Sequence, residues 1–330
     1  MKKVILIIMI FLLLINIPLK VKAEDIAREA RYVLVMDSSS KQVLYEKNGY
    51  SNVPMASTTK ILTALIGIST TNEEEEFEVS KNAQCIRGSK VGYKAGEIVS
   101  VDELLHGLMF KSGNDAAITL SEGIATSETD FTNLMNHFAH SLGLINSNFE
   151  TVHGLDSNSH YTSCYDLAYL TAKAMENQKF LDIVSSKEVN REDFTRAYTN
   201  INKILWRIPE ANGVKTGYTG QAGKCLVSSV NYKDRNIIIV VLNCNERWKV
   251  TERLFNYVKE NYDFHTLNLT DIDESLSEEN KDKKIKFSIK KGSLYDAKVN
   301  EYKKFNSNEI QKVIKIFNKT TNEELIKSII

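Results

Sequence analysis

Strand-like patterns at both ends of the apolar part of the chain enclose a long helical middle, and this order constrains the fold more than any other feature. Near the N-terminus, two short apolar runs, Tyr32 to Met36 and Gln42 to Tyr45, are separated by turn-forming residues at 37–41. Two longer runs, Lys224 to Val230 and Asn236 to Cys244, are separated by a short polar turn. Each pair predicts a β-hairpin.

Between the hairpins, apolar residues recur at helical spacing. The first helix is expected from Thr58 to Ile68, and Ser57 stands directly before it, where serine commonly acts as an N-cap. Further helices are predicted over Val101–Met109, Asp115–Ile124, Thr129–Leu142, Ser163–Glu176 and Thr251–Asn261. Strands first, helices in the centre and strands last predict an α/β (α+β) domain whose single sheet is completed by both chain ends and covered by helices.

The composition is that of a globular protein with no dominant charge. Of the 330 residues, 42% are hydrophobic and 25% are charged, and 42 basic side chains balance 42 acidic ones. No net field therefore indicates a nucleic-acid partner, and substrate recognition is expected to be local.

The first 23 residues have the pattern of a secretory signal peptide. Two lysines precede an apolar run from Val4 to Leu19, and small residues lead to a cleavage site after Ala23. The alternative is an uncleaved anchor, but the run is shorter than the ~20 residues that span a bilayer and Pro18 interrupts its end. We therefore expect an exported, extracytoplasmic protein whose main domain covers residues 24–264.

Residues 265–330 are expected to form a linker and a small C-terminal region. The segment Thr270 to Lys284 is nearly all polar, and the alternation from Ile285 to Ile289 predicts a half-exposed strand. A basic helix is expected farther on, with Ile310, Val313, Ile314 and Phe317 on one face. Such a helix could pack on the main body or make a peripheral membrane contact.

The four cysteines are too few for a disulfide scaffold. Most are expected to be buried thiols. Cys225 and Cys244 lie on the two strands of the second hairpin, so a cross-strand disulfide between them is a hypothesis.

Three short motifs follow one another along the chain. They are Ser57-Thr58-Thr59-Lys60, Ser112-Gly113-Asn114 and Lys215-Thr216-Gly217. Each is weak alone, but their predicted places are a helix start, a loop between helices and the head of a strand. The ordered set resembles the signature of penicillin-binding proteins and class A β-lactamases, in which aspartate stands where this chain has Gly113.

The spacing of the first motif has a chemical meaning. A serine hydroxyl is a poor nucleophile until a base takes its proton, and Ser57 and Lys60 lie on one face of a helical turn. Burial beside a second cation, Lys215, would lower the pKa of Lys60 and make it a usable base. Ser112 could relay a proton to the leaving amine, and Asn114 would hold the substrate amide and Lys60 in register.

Four stretches together resemble the low-molecular-mass penicillin-binding proteins, the D-Ala-D-Ala carboxypeptidases of serine peptidase family S11. They are Met55–Ala64, Lys111–Ala117, His153–Asp156 with His160–Thr162, and Gly213–Thr219. The resemblance covers roughly Ala30 to Phe264. It implies a β-lactamase/transpeptidase-like fold, with an antiparallel five-stranded sheet flanked by helices and a small C-terminal appendage.

The resemblance also implies an activity and a site. Ser57 would form an acyl-enzyme with peptidoglycan stem peptides ending in D-Ala-D-Ala, and β-lactam antibiotics would be covalent inhibitors. Lys215 and Thr216 would bind the terminal carboxylate, and Gly217 would leave room for the peptide along the strand. The backbone N–H groups of Ser57 and Tyr218 would form the oxyanion hole. No cofactor or metal is expected.

Three alternatives stay open. A DD-endopeptidase would use the same residues. A class A β-lactamase is disfavoured because no Glu-x-x-x-Asn string lies between Asn114 and Lys215. A non-catalytic β-lactam or cell-wall binding module is disfavoured because all three motifs are intact.

Two further histidine-containing features are given structural interpretations. His137 and His140 lack the HExxH pattern of a metal site and are interpreted as ordinary helix residues. In the stretch His153–Asp156, Asp156 is expected to hold the loop in place through hydrogen bonds to backbone.

Overall fold

The computed structural model describes residues 26–329 except 73, 191, 193, 273–282 and 304–309. The predicted signal peptide and part of the predicted linker lie outside the described residues. Among the residues that are described, no helix has both the length and the apolar composition to cross a membrane.

An antiparallel sheet of five strands forms the centre of the main body, as expected. Its strands are Tyr32–Asp37 (β1), Val43–Lys47 (β2), Ala211–Thr219 (β7), Gly223–Asn231 (β8) and Asn236–Leu242 (β9). Their spatial order is β2-β1-β9-β8-β7, which leaves β2 and β7 at the two edges. Strands from both ends of the main domain therefore form one sheet, as the order of the strand and helix patterns predicts.

The six predicted helices are confirmed to within about four residues at each boundary, and three shorter helices that were not predicted lie among them in the described residues. After a 3₁₀ turn at Ala56–Thr59, the helices are Lys60–Thr70 (α1), Lys81–Cys85 (α2), Val101–Phe110 (α3), Asn114–Ala125 (α4), Glu128–Ser141 (α5), Cys164–Ala174 (α6), Gln178–Ser185 (α7), Ile204–Arg207 (α8) and Arg247–Asn261 (α9). Two short antiparallel strand pairs lie among them, Glu76–Glu78 (β3) with Ile98–Ser100 (β4) and Glu188–Val189 (β5) with Tyr198–Thr199 (β6). Serine side chains cap several helices, for example Ser100 and Ser163.

Both faces of the sheet are buried. In β1, Leu34 and Met36 belong to the core shared with α1 and α3–α7, whereas Val33 and Val35 belong to the core on the α9 side. The alternation follows from the strand period of two residues. The sheet is therefore held rigidly between two helical layers.

The hypothesis of a Cys225–Cys244 disulfide is wrong. All four cysteines are free thiols. Cys225 packs into the core on one face of the sheet and Cys244 into the core on the other. Thiols on opposite faces of a sheet cannot approach the ~2 Å that a disulfide requires.

The C-terminal region is made of strands. Tyr262–Asn268 (β10) pairs with Lys284–Lys290 (β11), and Tyr295–Lys303 (β12), Ile310–Asn318 (β13) and Glu324–Ile329 (β14) form a second sheet. The strand predicted at Ile285 to Ile289 is confirmed, and β10 continues across residue 264, where we placed the end of the main domain.

The helix expected around Val313 and Phe317 is wrong. In β13, Ile314 and Ile316 pack against Phe287, and the strand pairs with neighbours on both sides. Apolar residues that lie one, three or four positions apart occur in strands as well as in helices. Here the pairing with β12 and β14 and the β-branched side chains favour the strand. The possible membrane contact rested on this helix.

Arg235 joins the C-terminal region to the main sheet. Its guanidinium donates to Asp37 Oδ2 on β1 at 3.0 Å, to the Phe287 carbonyl at 3.2 Å and to the His265 carbonyl at 3.2 Å. Ser288 Oγ donates to the same Asp37 oxygen at 2.5 Å. The ribbon β10–β11 is thus docked on the five-stranded sheet by a buried ion pair with several hydrogen-bond partners.

Candidate active site

Ser57 lies inside the 3₁₀ turn that precedes α1. The expectation that it serves as an N-cap is wrong, because Met55 occupies that position and no side-chain capping bond is present. The residue before it, Ala56, has a φ of 50°, in the left-handed region that alanine rarely adopts. This backbone leaves the Ser57 hydroxyl facing Lys60 rather than the N–H groups of the helix.

The amine of Lys60 has three oxygen neighbours. Its Nζ lies 3.0 Å from Ser57 Oγ, 2.8 Å from Asn114 Oδ1 and 2.6 Å from the His153 carbonyl oxygen. Asn114 and His153 offer only acceptors here, so they take the two hydrogens of a neutral amine. In that neutral form the lone pair is available to the Ser57 hydroxyl, which also lies 3.4 Å from the His153 carbonyl oxygen, and a general base requires such a lone pair.

The surroundings of Lys60 favour its neutral form. The residue is fully buried. Burial lowers the pKa of Lys60 well below its ordinary value, the positive charge of Lys215 lowers it further, and Asp115 acts in the opposite direction. The predicted lowering of the pKa by a second cation is thus present, but loss of contact with water lowers the pKa of Lys60 more.

The second motif lies in the loop between α3 and α4. Ser112 is buried and has a φ of 60°, and Asn114 is the first residue of α4. Asn114 Nδ2 donates to the Arg87 carbonyl at 2.7 Å, which fixes the amide so that its oxygen faces Lys60. Within the described residues, the hydrogen bonds of Lys60 do not include Ser112.

The third motif lies on the edge strand β7, beside Ser57. A Cβ built on Gly217 would come within 3.0 Å of Ala56 Cβ and 3.1 Å of the Ser57 nitrogen. A side chain at this position would push the strand and the turn apart by a few tenths of an ångström, so glycine allows the close approach. Lys215 and Thr216 are buried next to it, and the side chain of Tyr218 is largely exposed.

The cationic part of the site contains one residue that the motifs did not reveal. The only side-chain hydrogen bond described for Lys215 goes to the Thr216 carbonyl, at 3.0 Å. Burial lowers the pKa of Lys215 to about 7, and the charge of Arg247 contributes to the shift. Arg247 Nε and Nη1 are buried without a hydrogen-bond partner among the described residues. A buried lysine and a half-buried arginine, with no acidic hydrogen-bond partner among the described residues, form a natural site for a carboxylate.

A topological signal could have identified Arg247. Strands β7 and β9 both pair antiparallel with β8 and therefore run in the same direction. Their C-terminal ends lie on the same side of the molecule, where the strands of the sheet end. Arg247 starts the helix that follows β9. A basic residue just beyond that strand is consequently a candidate for the same site.

The loop with His153 closes the site from the other side. Asp156 accepts from the Thr219 hydroxyl at 2.6 Å and from the Gln221 N–H at 3.2 Å, which ties the loop to the β7–β8 hairpin. The expected bracing role of Asp156 is present, with one side-chain and one backbone donor. Burial lowers the pKa of His153 to about 3, so its ring stays neutral beside Lys60.

Taken together, the structure unites a serine, a buried amine and a pair of cations around one strand edge. A family model described as D-alanyl-D-alanine carboxypeptidase, peptidase S11, matches residues 19–246. The chain belongs to the peptidase S11 family. The matched residues include all three motifs and exclude the C-terminal strands.

Curated S11 relatives share about a third of the matched residues. The D-alanyl-D-alanine carboxypeptidase DacF of Bacillus subtilis is 30% identical over 257 residues, which cover 74% of this chain and 66% of the relative. The corresponding DacC of Escherichia coli is 35% identical over 248 residues, covering 69% of this chain and 61% of the relative. The matched region thus spans somewhat less than two thirds of these relatives.

A solved structure has the same fold over most of the chain. The crystal structure of penicillin binding protein 5 from Haemophilus influenzae superposes with a TM-score of 0.76 and 23% identity, covering 91% of this chain and 95% of that one. The expected penicillin-binding-protein fold, with a five-stranded antiparallel sheet flanked by helices, is confirmed.

Proposed function

We propose that this S11 chain is an exported serine-type D-Ala-D-Ala carboxypeptidase that removes the terminal D-alanine from peptidoglycan stem peptides. The observation that carries the proposal is the contact of the Ser57 hydroxyl with a buried amine whose two hydrogens have other acceptors. The expected signal peptide and the family's cell-wall substrates support an extracytoplasmic location.

Acylation begins with proton transfer inside this contact. Lys60 Nζ accepts the Ser57 proton while Oγ attacks the carbonyl carbon of the penultimate D-alanine. The N–H groups of Ser57 and Tyr218 stabilise the negative oxygen of the tetrahedral intermediate. Collapse of the intermediate breaks the C–N bond and leaves an ester on Ser57.

The leaving amine needs the proton that Lys60 has received. Ser112, buried in the loop between α3 and α4, is the proposed relay for this transfer. Release of D-alanine restores the neutral amine, which then activates a water molecule to hydrolyse the ester. Asn114 holds both the amine of Lys60 and the amide of the substrate in place.

The free C-terminus of the peptide is recognised by charge. Lys215, Thr216 and Arg247 would surround its carboxylate, and the unpaired nitrogens of Arg247 support this role. An arginine and a lysine in a desolvated pocket bind a carboxylate more strongly than a neutral group. The same pocket would take the carboxylate of a penicillin, whose opened ring would stay on Ser57.

Labelling with a fluorescent penicillin, followed by mass spectrometry of the modified peptide, tests the nucleophile. We expect one adduct on Ser57 in the wild type and none in Ser57→Ala, while Ser121→Ala, which alters a buried serine of α4, keeps the label. Labelling that survives in Ser57→Ala would contradict the proposal. Rapid turnover of the penicillin would instead indicate a β-lactamase.

Two peptide substrates test the reaction. Diacetyl-lysyl-D-Ala-D-Ala should release one D-alanine per molecule, and isolated cross-linked muropeptides measure the endopeptidase alternative. Faster cleavage of the cross-linked substrate would reassign the chain as a DD-endopeptidase.

A further inference from the structure

A hydrogen-bonded chain runs from His160 to the backbone next to the nucleophile. His160 Nε2 lies 2.8 Å from Thr59 Oγ1, and Thr59 Oγ1 lies 2.8 Å from the Ala56 carbonyl oxygen, to which it donates. All three residues are buried. None of the three motifs contains His160, and the chemical argument for the first motif uses only its serine and its lysine.

The direction of every hydrogen in this chain follows from its ends. The Glu150 N–H donates to His160 Nδ1 at 3.0 Å, so Nδ1 is an acceptor and the ring hydrogen must be on Nε2. Nε2 then donates to Thr59 Oγ1, whose own hydrogen goes to the Ala56 carbonyl. Burial lowers the pKa of His160 to about 4, which keeps this neutral tautomer at neutral pH.

The Ala56 carbonyl is held by packing as well. A Cβ built on Gly154, which has a φ of 86°, would lie 2.0 Å from the Ala56 oxygen and 2.8 Å from Thr59 Oγ1. The loop with His153 therefore presses on the same peptide group from another side. The left-handed φ of 50° at Ala56 is unfavourable for alanine, so the surrounding contacts must maintain it.

We propose that Thr59 and His160 are positioning residues that fix the Ala56–Ser57 backbone and thereby aim the Ser57 hydroxyl at the substrate carbonyl. The inference rests on the proposed function of Ser57. Neither side chain touches the reacting atoms, and both act through the peptide group that precedes the nucleophile. Their loss is expected to slow acylation while leaving the carboxylate pocket around Lys215 intact.

The experiment measures penicillin acylation in single turnover, separating the noncovalent dissociation constant from the acylation rate constant. Thr59→Val removes the hydroxyl at nearly constant shape, and His160→Phe removes both ring hydrogen bonds. Each should lower the acylation rate constant about 10- to 100-fold with little change in noncovalent binding, because small misplacements of a nucleophile cost this much. His160→Gln, which keeps one acceptor and one donor, should recover most of the rate.

Matched controls separate positioning from stability. Thr171 donates from its buried hydroxyl to the Leu167 carbonyl of its own helix at 2.6 Å, and buried His106 contacts the Asp102 carbonyl at 2.8 Å. Thr171→Val and His106→Gln should lower the melting temperature without changing the acylation rate per folded molecule. Wild-type rates in Thr59→Val and His160→Phe would overturn the proposal.

A double variant and a spectrum make the test decisive. Because Thr59 and His160 act in series, the double variant should be no slower than the slower single variant, and losses that multiply would contradict the chain. Nitrogen NMR of His160 should show the Nε2–H tautomer, and an Nδ1–H tautomer would overturn the inference even if His160→Phe fails to fold. An error in the proposed function would give a different result from an error in this inference, because the wild-type protein would then form no adduct on Ser57.

Discussion

The backbone of Gly217 lies against the backbone of Ser57, with so little space that a Cβ on Gly217 would come within 3.1 Å of the Ser57 nitrogen. This contact joins the edge strand of the sheet to the start of α1. The proposed nucleophile and the proposed substrate-binding strand are therefore parts of one rigid unit. The geometry of the reaction depends on the absence of a side chain at one position.

Gly217→Val should separate the strand from the turn. We expect the rate constant of penicillin acylation to fall about 100-fold, because the reacting groups lose their alignment. Gly220→Val is the matched control, since a Cβ there meets nothing within 4 Å. Stopped-flow fluorescence with a labelled penicillin measures both, and equal rates in the two variants would show that the contact has no role in acylation.

The pH dependence of kcat/KM should have two limbs. As the pH falls through the lowered pKa of Lys60, the base gains a proton and activity is lost on the acid side. As the pH rises above about 7, the pKa of Lys215 in the empty site, the carboxylate pocket loses one charge and binding weakens. Release of D-alanine from diacetyl-lysyl-D-Ala-D-Ala across the pH range checks both limbs.

Lys215→Arg distinguishes the two groups, because a guanidinium keeps its charge at alkaline pH. The alkaline limb should move upward by more than one pH unit, whereas the acid limb should persist. Only the position of the limbs matters here, since the overall rate of this variant also reflects the different shape of arginine. An alkaline limb that stays in place would assign that titration to another residue.

Arg247→Gln should weaken recognition of the free C-terminus. Loss of a charged hydrogen bond costs about 1.5–3 kcal/mol, which corresponds to roughly a 10- to 100-fold fall in kcat/KM. A tripeptide ending in a C-terminal amide carries no carboxylate, so the wild type and the variant should cleave it equally slowly. Equal loss on the acid and the amide would indicate that Arg247 has only a structural role.

Asp37→Asn should destabilise the protein without changing the active site. The Arg235–Asp37 pair is almost inaccessible to solvent, with 2% and 0% of the side chains exposed. Breaking such a pair leaves a buried charge and costs about 3–5 kcal/mol. Urea unfolding should detect this loss, and penicillin labelling of the folded fraction should be unaffected.

The exposed pair Arg207–Glu252 provides the control, with 38% and 31% of its side chains accessible. Glu252→Gln should change the free energy of unfolding by about 0–1 kcal/mol, because solvent screens such pairs. Similar losses in the two variants would show that burial does not determine the strength of these pairs.

Local spacing allowed much of the catalytic unit to be predicted. Ser57 and Lys60 are neighbours because one helical turn separates them, and the two hairpins come together because both are apolar runs around polar turns. The partners that no local pattern encodes were missed. The His153 carbonyl reaches Lys60 from 93 positions away, and Arg247 joins Lys215 only through the order of the strands.

The wrong predictions for residues 310–317 and for Cys225 and Cys244 have the same origin. The apolar spacing around Val313 suits a helix as well as a strand, and pairing with β12 and β14 determined the outcome. The Cys225–Cys244 hypothesis used closeness along a hairpin and neglected the two faces of the sheet. Long-range packing, which a single sequence does not display, settled each case.

Strand β7 occupies an edge of the five-stranded sheet, and its pairing with β8 uses only one of its two sides. A peptide or a β-lactam that adds to the free side meets amide and carbonyl groups that every amino acid carries. A point mutation to any residue except proline leaves these groups in place. Substitutions in this strand should therefore rarely make the protein tolerant to the antibiotic without loss of peptide turnover. We expect substitutions that confer tolerance to lie in the flanking loops.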